Sequence, residues 1–422
     1  MLVRYLLPLL AVSLLPAQGK KARADAPRGG MTFSEFPVPD AAPLSLDAAT
    51  KQAVAELLAL QEGDEREQWP YEGVYREDGG KLPVGYRVGG TSLTCMGMVA
   101  APGYRKDAKR QEAVARAVAF VLDTLGHDRM QIGFEGGYDV RGWGHIYALT
   151  MLLHLRDARL VPKGMEERVE EKTGWLVEAL VETAIPQTGG WNYSRRRGYK
   201  KPGNAASTFM TAPALQALFH AKARGYEVPD EVVEQALGAL DRARSAAGGF
   251  AYSAPRRSRS DVGDDELHFM DKTPGAAARA AVIESTFLLA GRGDKERHEK
   301  ATRLFFEQWD ELAKRKSQLG THNPPYGIAP YYFMFGHIYA AQAVELLDDA
   351  ELKGELRGEM RRLLAKSREQ NGTWNDRQFP RSAGYGTACA LMTLYMQRLP
   401  KPHAWQPTGA SDDGAAEKGA GK

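Results

Sequence analysis

Gly144-His145-Ile146-Tyr147-Ala148 recurs unchanged as Gly336-His337-Ile338-Tyr339-Ala340. An exact pentapeptide met twice marks a chain built from copies of one supersecondary unit, which constrains the fold more tightly than any single motif. The same grammar surrounds both copies. A Gly-rich turn carrying an aromatic comes first, then one or two small residues, then an apolar helix. The turns are Gly79-Gly80, Gly136-Gly137, Gly189-Gly190-Trp191, Gly248-Gly249-Phe250, Tyr326-Gly327 and Asn371-Gly372-Thr373-Trp374.

Two kinds of helix alternate between these turns. Segments such as 143–155, 205–220, 274–290, 330–347 and 384–399 are apolar around most of their circumference and read as buried. Segments 107–125, 163–182, 229–245, 294–316 and 351–369 carry one apolar stripe and a charged opposite face. Val114, Val118, Val121, Leu122 and Leu125 illustrate the helical spacing. Segment 47–60 opens the series, with Ser45 or Asp47 as its N-cap. No strand-period segment competes. The alternation predicts an all-α chain of six helical hairpins. It closes most simply as an α/α toroid with inner and outer helix rings; an open helical-repeat solenoid is the alternative. Every Gly-aromatic turn runs from an outer helix to an inner one. All should therefore meet at one mouth, under the positive ends of the inner helices.

The chain has 422 residues, and residues 44–400 are assigned to the toroid. Residues 1–19 read as a signal peptide: Arg4, an apolar run from Tyr5 to Leu15, then Ala17-Gln18-Gly19. The run is short for a membrane span, although a signal-anchor is a second reading. Export to the periplasm or the medium follows, with no membrane span after signal removal. Residues 20–43 and 401–422 read as a disordered arm and tail. A net charge of +3 gives no electrostatic case for nucleic acid. Cys95 and Cys389 fall in the first and last buried helices, which a closed ring makes neighbours. A ring-closing disulfide and two buried thiols are both open.

The chain resembles the squalene cyclase-like, prenyltransferase/squalene oxidase repeat superfamily. The resemblance rests on Gly189-Gly190-Trp191-Asn192-Tyr193, on Gln370-Asn371-Gly372-Thr373-Trp374, and on the helix openings Trp143-Gly144-His145-Ile146-Tyr147-Ala148 and Tyr385-Gly386-Thr387-Ala388. It implies a toroid fold and says little about a reaction. The Asp-x-Asp-Asp acid of squalene–hopene-type cyclases has no match. The nearest string, Asp261-Val262-Gly263-Asp264-Asp265, places Gly263 at the second Asp. Asp376, Cys389 and His337 have the residue types of a zinc prenyltransferase site without its spacing. The Gly-Cys-Gly-Glu-Gln thioester motif of complement-like toroids is absent.

The mouth should be lined by Trp69, Tyr71, Trp143, Trp191, Tyr193, Tyr199, Tyr252, Tyr331 and Trp374. Flat rings suit sugar faces, and pegs between repeats are the alternative use. Arg195 and Arg196, beside Tyr193, would hold a carboxylate or sulfate. His145 and His337 should face each other across the funnel as acid or base, or else serve as core residues. His322 and Asn323 add polar groups at the mouth. Asp261, Asp264 and Asp265 offer oxygen ligands for Ca²⁺ without EF-hand spacing; no other cofactor is implied. The expected binding set is Trp143, Trp191, Tyr193, Arg195, Arg196, Asn323, Trp374 and Asp376. The catalytic candidates are His145, His337, His322 and Tyr193. Asp139, Glu135 and Asp376 are the carboxylates available to a hydrolase.

Three functions follow, in order of preference. The first is an exported toroid that binds a ligand or a protein at its mouth without catalysis or terpene cyclisation. The second is a polysaccharide-active enzyme, a lyase on acidic glycan. The third is an isoprenoid cyclase or prenyltransferase. A filled ring centre favours the first, a polar funnel with converging Arg and His the second, and a deep apolar cavity the third.

Overall fold

The computed structural model describes residues 45–408, apart from 136–139, 193–204, 256–257, 318–321, 323, 328 and 377–378, and the side chains of Asp78, Asp264 and Ser317. Residues 1–44 and 409–422, which include the segments expected as signal and arm, lie outside the described residues. So do Asp139, Tyr193, Arg195, Arg196, Tyr199 and Asn323. Thirteen α-helices and a few isolated β-bridges make up the regular structure among the described residues.

The helices alternate as expected. The inner set is α2 (Val84–Ala100), α4 (Arg141–Asp157), α6 (Thr208–Ala223), α8 (Thr273–Leu289), α11 (Tyr332–Leu346) and α13 (Ser382–Leu394). The outer set is α1 (Leu46–Leu60), α3 (Ala108–Thr124), α5 (Glu166–Thr183), α7 (Asp230–Arg242), α9 (Lys295–Glu307) with the short α10 (Trp309–Lys314), and α12 (Ala350–Ser367). The outer segment expected to be continuous over 294–316 breaks at Gln308 into α9 and α10. Four of the polar-faced helices, α1, α3, α9 and α12, start on side-chain caps. Ser45, Asp107, Asp294 and Asp349 each accept from a backbone N–H in the first turn. The inner helices carry no such cap from their N-cap residues.

Each inner helix packs on the next, α2 to α4, α6, α8, α11 and α13, and α13 packs back on α2. The ring is closed, which excludes the open solenoid. Closure depends on close backbone approach. A Cβ at Gly97 on α2 would stand 2.7 Å from Ala388 Cα on α13. Cys95 and Cys389 lie buried on these two helices as free thiols, so the disulfide is not formed. Outer helices pack on the inner helix that precedes them, as α3 does on α2 and α5 on α4. Only α1 differs. It covers α13, so the first helix of the chain completes the last hairpin. Thr50 Oγ1 to Tyr395 Oη at 2.6 Å, and Gln52 Nε2 donating to Asn371 O at 3.1 Å, fasten it there.

The axis of the ring is filled. Tyr147 and Tyr339 bring their hydroxyls to 3.4 Å across it. Phe209 and Phe335 pack with centroids 4.4 Å apart and their planes tilted by 41°. The tail expected from Lys401 onward is packed as far as Thr408. Trp405 N donates to Leu289 O at 2.8 Å, and its ring lies 5.3 Å from that of Phe219. Thr408 N donates to Asp230 Oδ1 at 3.1 Å and fastens the end of the same segment.

Candidate functional site

The Gly-aromatic turns among the described residues join an outer helix to an inner one, and they surround a single mouth. At its centre lies a basin lined by Tyr71, Tyr75, Tyr86, Val140, Trp143, Phe209, Tyr331 and Tyr385. The rings meet edge to face: Tyr71 to Tyr86 at 5.2 Å, Tyr71 to Tyr385 at 4.9 Å, and Trp143 to Tyr147 at 5.2 Å beneath. The lining is built by one device. Aromatics stand at or beside the first turn of α2, α4, α6, α11 and α13, so a ring of helix starts becomes a ring of aromatic faces. A neighbouring recess adds Gly73, Val74, Pro330 and His322. The free space in the basin is about 30 Å³, on the order of two waters. It is a shallow seat, not an isoprenoid cavity.

The polar groups are few. Burial, with the charge of Asp376 second, holds the Tyr71 phenol well above its ordinary pKa, and burial does the same for Tyr385. Both hydroxyls stay protonated and can donate. Tyr71 Oη donates to Asp376 Oδ2 at 3.3 Å; Asp376 is fully buried and does not line the basin. His322 is half-buried, and its Nδ1 is 2.8 Å from Gly327 O. Burial lowers its pKa, so its imidazole is neutral at neutral pH. Arg279 is buried nearby on α8. It donates to the carbonyls of Gly275, Phe250 and Met270, and its guanidinium lies over Tyr252 and Tyr332.

Trp143, Tyr71, Tyr331 and His322 therefore stand where the mouth was expected. Trp191 and Trp374 do not. Trp69, Trp191 and Trp374 are buried pegs of identical design. Each indole N–H donates to a leucine carbonyl in the last turn of the preceding outer helix: Leu57 O at 2.7 Å, Leu180 O at 2.8 Å and Leu364 O at 2.8 Å. Each peg's backbone N–H donates to a threonine on the following inner helix: Thr91 at 2.9 Å, Thr211 at 3.1 Å and Thr387 at 3.0 Å. The indole thus satisfies a carbonyl that the helix end would leave open. In the Gly189-Gly190-Trp191 turn, Gly190 takes φ +79°, and a Cβ there would meet Thr211 at 2.7 Å.

The histidine pair is also corrected. His145 and His337 point outward, into the layer between the rings, and not across the funnel. His145 Nε2 lies 2.9 Å from Met130 O, with its ring edge-on to Trp175 at 5.3 Å. His337 accepts from Trp309 Nε1 at 2.9 Å, and its Nδ1 lies 2.6 Å from Phe333 O. Two residues along a helix is about 200° of rotation. In both copies of the pentapeptide, turning His outward therefore turns Tyr147 and Tyr339 to the axis. Glu135, Asp261 and Asp265 are exposed, and the Asp264 side chain is outside the described set. Sequence reasoning missed Tyr75, Tyr86, Phe209 and Tyr385. The signal was available as an aromatic at nearly every inner-helix start.

Comparisons agree on the fold. No family profile and no curated protein matches the sequence. Solved structures do. An inactive double Asp-to-Asn variant of a Salegentibacter α-1,6-mannanase, complexed with α-1,6-mannotriose, matches at TM-score 0.51 and 10% identity over 83% of this chain and 98% of that one. Cellobiose 2-epimerase from Bacillus thermoamylovorans matches at TM-score 0.50 and 11% identity, over 82% and 98%. A type II terpene cyclase variant from Scytonema, complexed with geranylgeranyl dihydroxybenzoate, matches at TM-score 0.49 and 14% identity, over 84% and 97%. The chain has the α/α toroid fold that the repeat implied.

Proposed function

We propose that this is an exported carbohydrate-binding toroid, without terpene cyclase activity, whose aromatic basin takes the face of a sugar ring. The observation that carries the reading is the basin itself. It is a shallow seat of tyrosine, tryptophan and phenylalanine faces above an axis closed by Tyr147 and Tyr339. Aromatic faces stack on the apolar faces of sugar rings. That the mannanase and the epimerase are named for sugar chemistry supports the reading by analogy of fold alone.

Thermal shift tests it. The mature protein is mixed in turn with neutral oligosaccharides, acidic oligosaccharides, an isoprenoid diphosphate and Ca²⁺. Ligand at 100 times its dissociation constant adds about 2.7 kcal/mol. An oligosaccharide is expected to stabilise the protein, and Tyr75→Ala, at the half-buried edge of the basin, to remove that shift. Stabilisation by the isoprenoid diphosphate alone, or by no sugar, overturns the reading.

His322 favours a second reading, a lyase on acidic glycan. A neutral imidazole beside Tyr75 and Tyr331 would take the proton next to a uronate carboxylate. Release of unsaturated, ultraviolet-absorbing products, lost in His322→Ala, would establish it.

A further inference from the structure

The end of the toroid opposite the mouth holds a side-chain cluster unrelated to the basin. Asp157 closes α4, His220 lies in the last turn of α6, and the packed tail brings His403 over both. His220 Nε2 stands 2.9 Å from Asp157 Oδ2, and His403 Nε2 stands 3.8 Å from the same oxygen. One ligand atom from each of the three lies within 4.8 Å of the others. The imidazoles of His220 and His403 stack at 4.5 Å. The other carboxylate oxygen, Oδ1, is held by Arg224 Nε at 2.7 Å. That contact fixes the carboxylate and leaves Oδ2 facing the two imidazoles.

We propose that Asp157, His220 and His403 bind a divalent transition metal of the zinc class and so clamp the C-terminal segment to the ring. Two imidazoles and one carboxylate, with a position open to solvent, are a common donor set for such an ion. Tetrahedral bonds near 2.0–2.1 Å put neighbouring ligand atoms about 3.3 Å apart, and the separations of 2.9 and 3.8 Å bracket that distance. The metal would replace the proton now shared by His220 and Asp157. Two further features favour a cation here. Asp157 and His220 sit at helix C-termini, the negative ends of α4 and α6. His154, three residues before Asp157 on the same face, has a buried Nδ1 with no hydrogen-bond partner among the described residues, and its ring is 5.7 Å from that of His220. Half-buried His403 and the adjoining groove, lined by His154, His220, Lys401 and Pro402, give an ion a way in.

The test uses the full mature chain stripped with a chelator, then titrated with Zn²⁺ and, separately, Co²⁺. One equivalent of Zn²⁺ is expected to bind, and Co²⁺ to show the intense visible bands of a four-coordinate nitrogen–oxygen site. His403→Ala, which changes only the tail, should weaken Zn²⁺ binding by at least about 10-fold, with circular dichroism unchanged. Zn²⁺ should slow proteolysis within 399–408 in the parent and not in the variant. Absence of stoichiometric binding overturns the proposal. So does binding of equal strength in His403→Ala and His220→Gln, which would put the ion elsewhere.

Discussion

His337 shows how much one residue's surroundings decide. Its Nε2 accepts from Trp309, so its proton must sit on Nδ1, where it donates to Phe333 O. That is the neutral tautomer, and burial pushes its pKa down to about 4. His298, bonded to Ser285, is pushed down to about 4 for the same reason. In the unfolded chain these imidazoles take up protons near pH 6.5; in the folded chain they do not until about 4. Their contribution is fully present above 6.5 and is lost as pH falls towards 4, up to roughly 3 kcal/mol for each. Denaturant titrations across that window should show stability dropping as pH falls. His337→Gln keeps an acceptor for Trp309 and removes one titrating group, so its drop should be shallower. An identical slope in the variant would mean that His337 is not held neutral.

At the scale of elements, the tryptophan peg joins units that share no continuous helix. Trp191 ties the end of α5 to the start of α6 through one indole and one threonine. Trp191→Phe keeps most of the ring's bulk but leaves the Leu180 carbonyl buried without its donor, a cost of about 1–3 kcal/mol. Because the peg lies beneath the mouth, the variant should lose that stability in denaturant unfolding while keeping oligosaccharide affinity. Lost affinity at unchanged stability would instead return Trp191 to the binding surface. The peg also explains the likeness of the Trp191 and Trp374 turns. The glycines permit the positive φ, and the indole caps a helix end, so both residues are dictated by the joint itself.

For the whole molecule, the decisive contact is the one between its ends. α1 completes the hairpin of α13, and α13 packs on α2. Removing residues 1–60 should therefore do more than delete one outer helix. It strips the cover from α13 and removes Leu57, the acceptor of the Trp69 peg. The truncated protein should lose its cooperative thermal transition. A sharp transition at near-native temperature would show that five hairpins hold the ring without the closing contact.

Periodicity alone determined the helices, their alternation, and the outer-to-inner direction of every turn, because amphipathic spacing and Gly-aromatic turns are local properties. It also predicted one mouth, since identical joints repeated around a ring must lie on one side. Which face each repeated residue turns inward was not legible. His145 and Tyr147 are two positions apart in a helix that is buried all round, so hydropathy cannot tell axis from inter-ring layer. Trp143 lines the basin while Trp191 is a peg, because one lies inside an inner helix and the other in the turn before it. The gathering of Asp157, His220 and His403 was least legible of all. It needs two helix ends and a tail distant in sequence, and only the packing of α4 on α6 and of Trp405 in its groove brings them together.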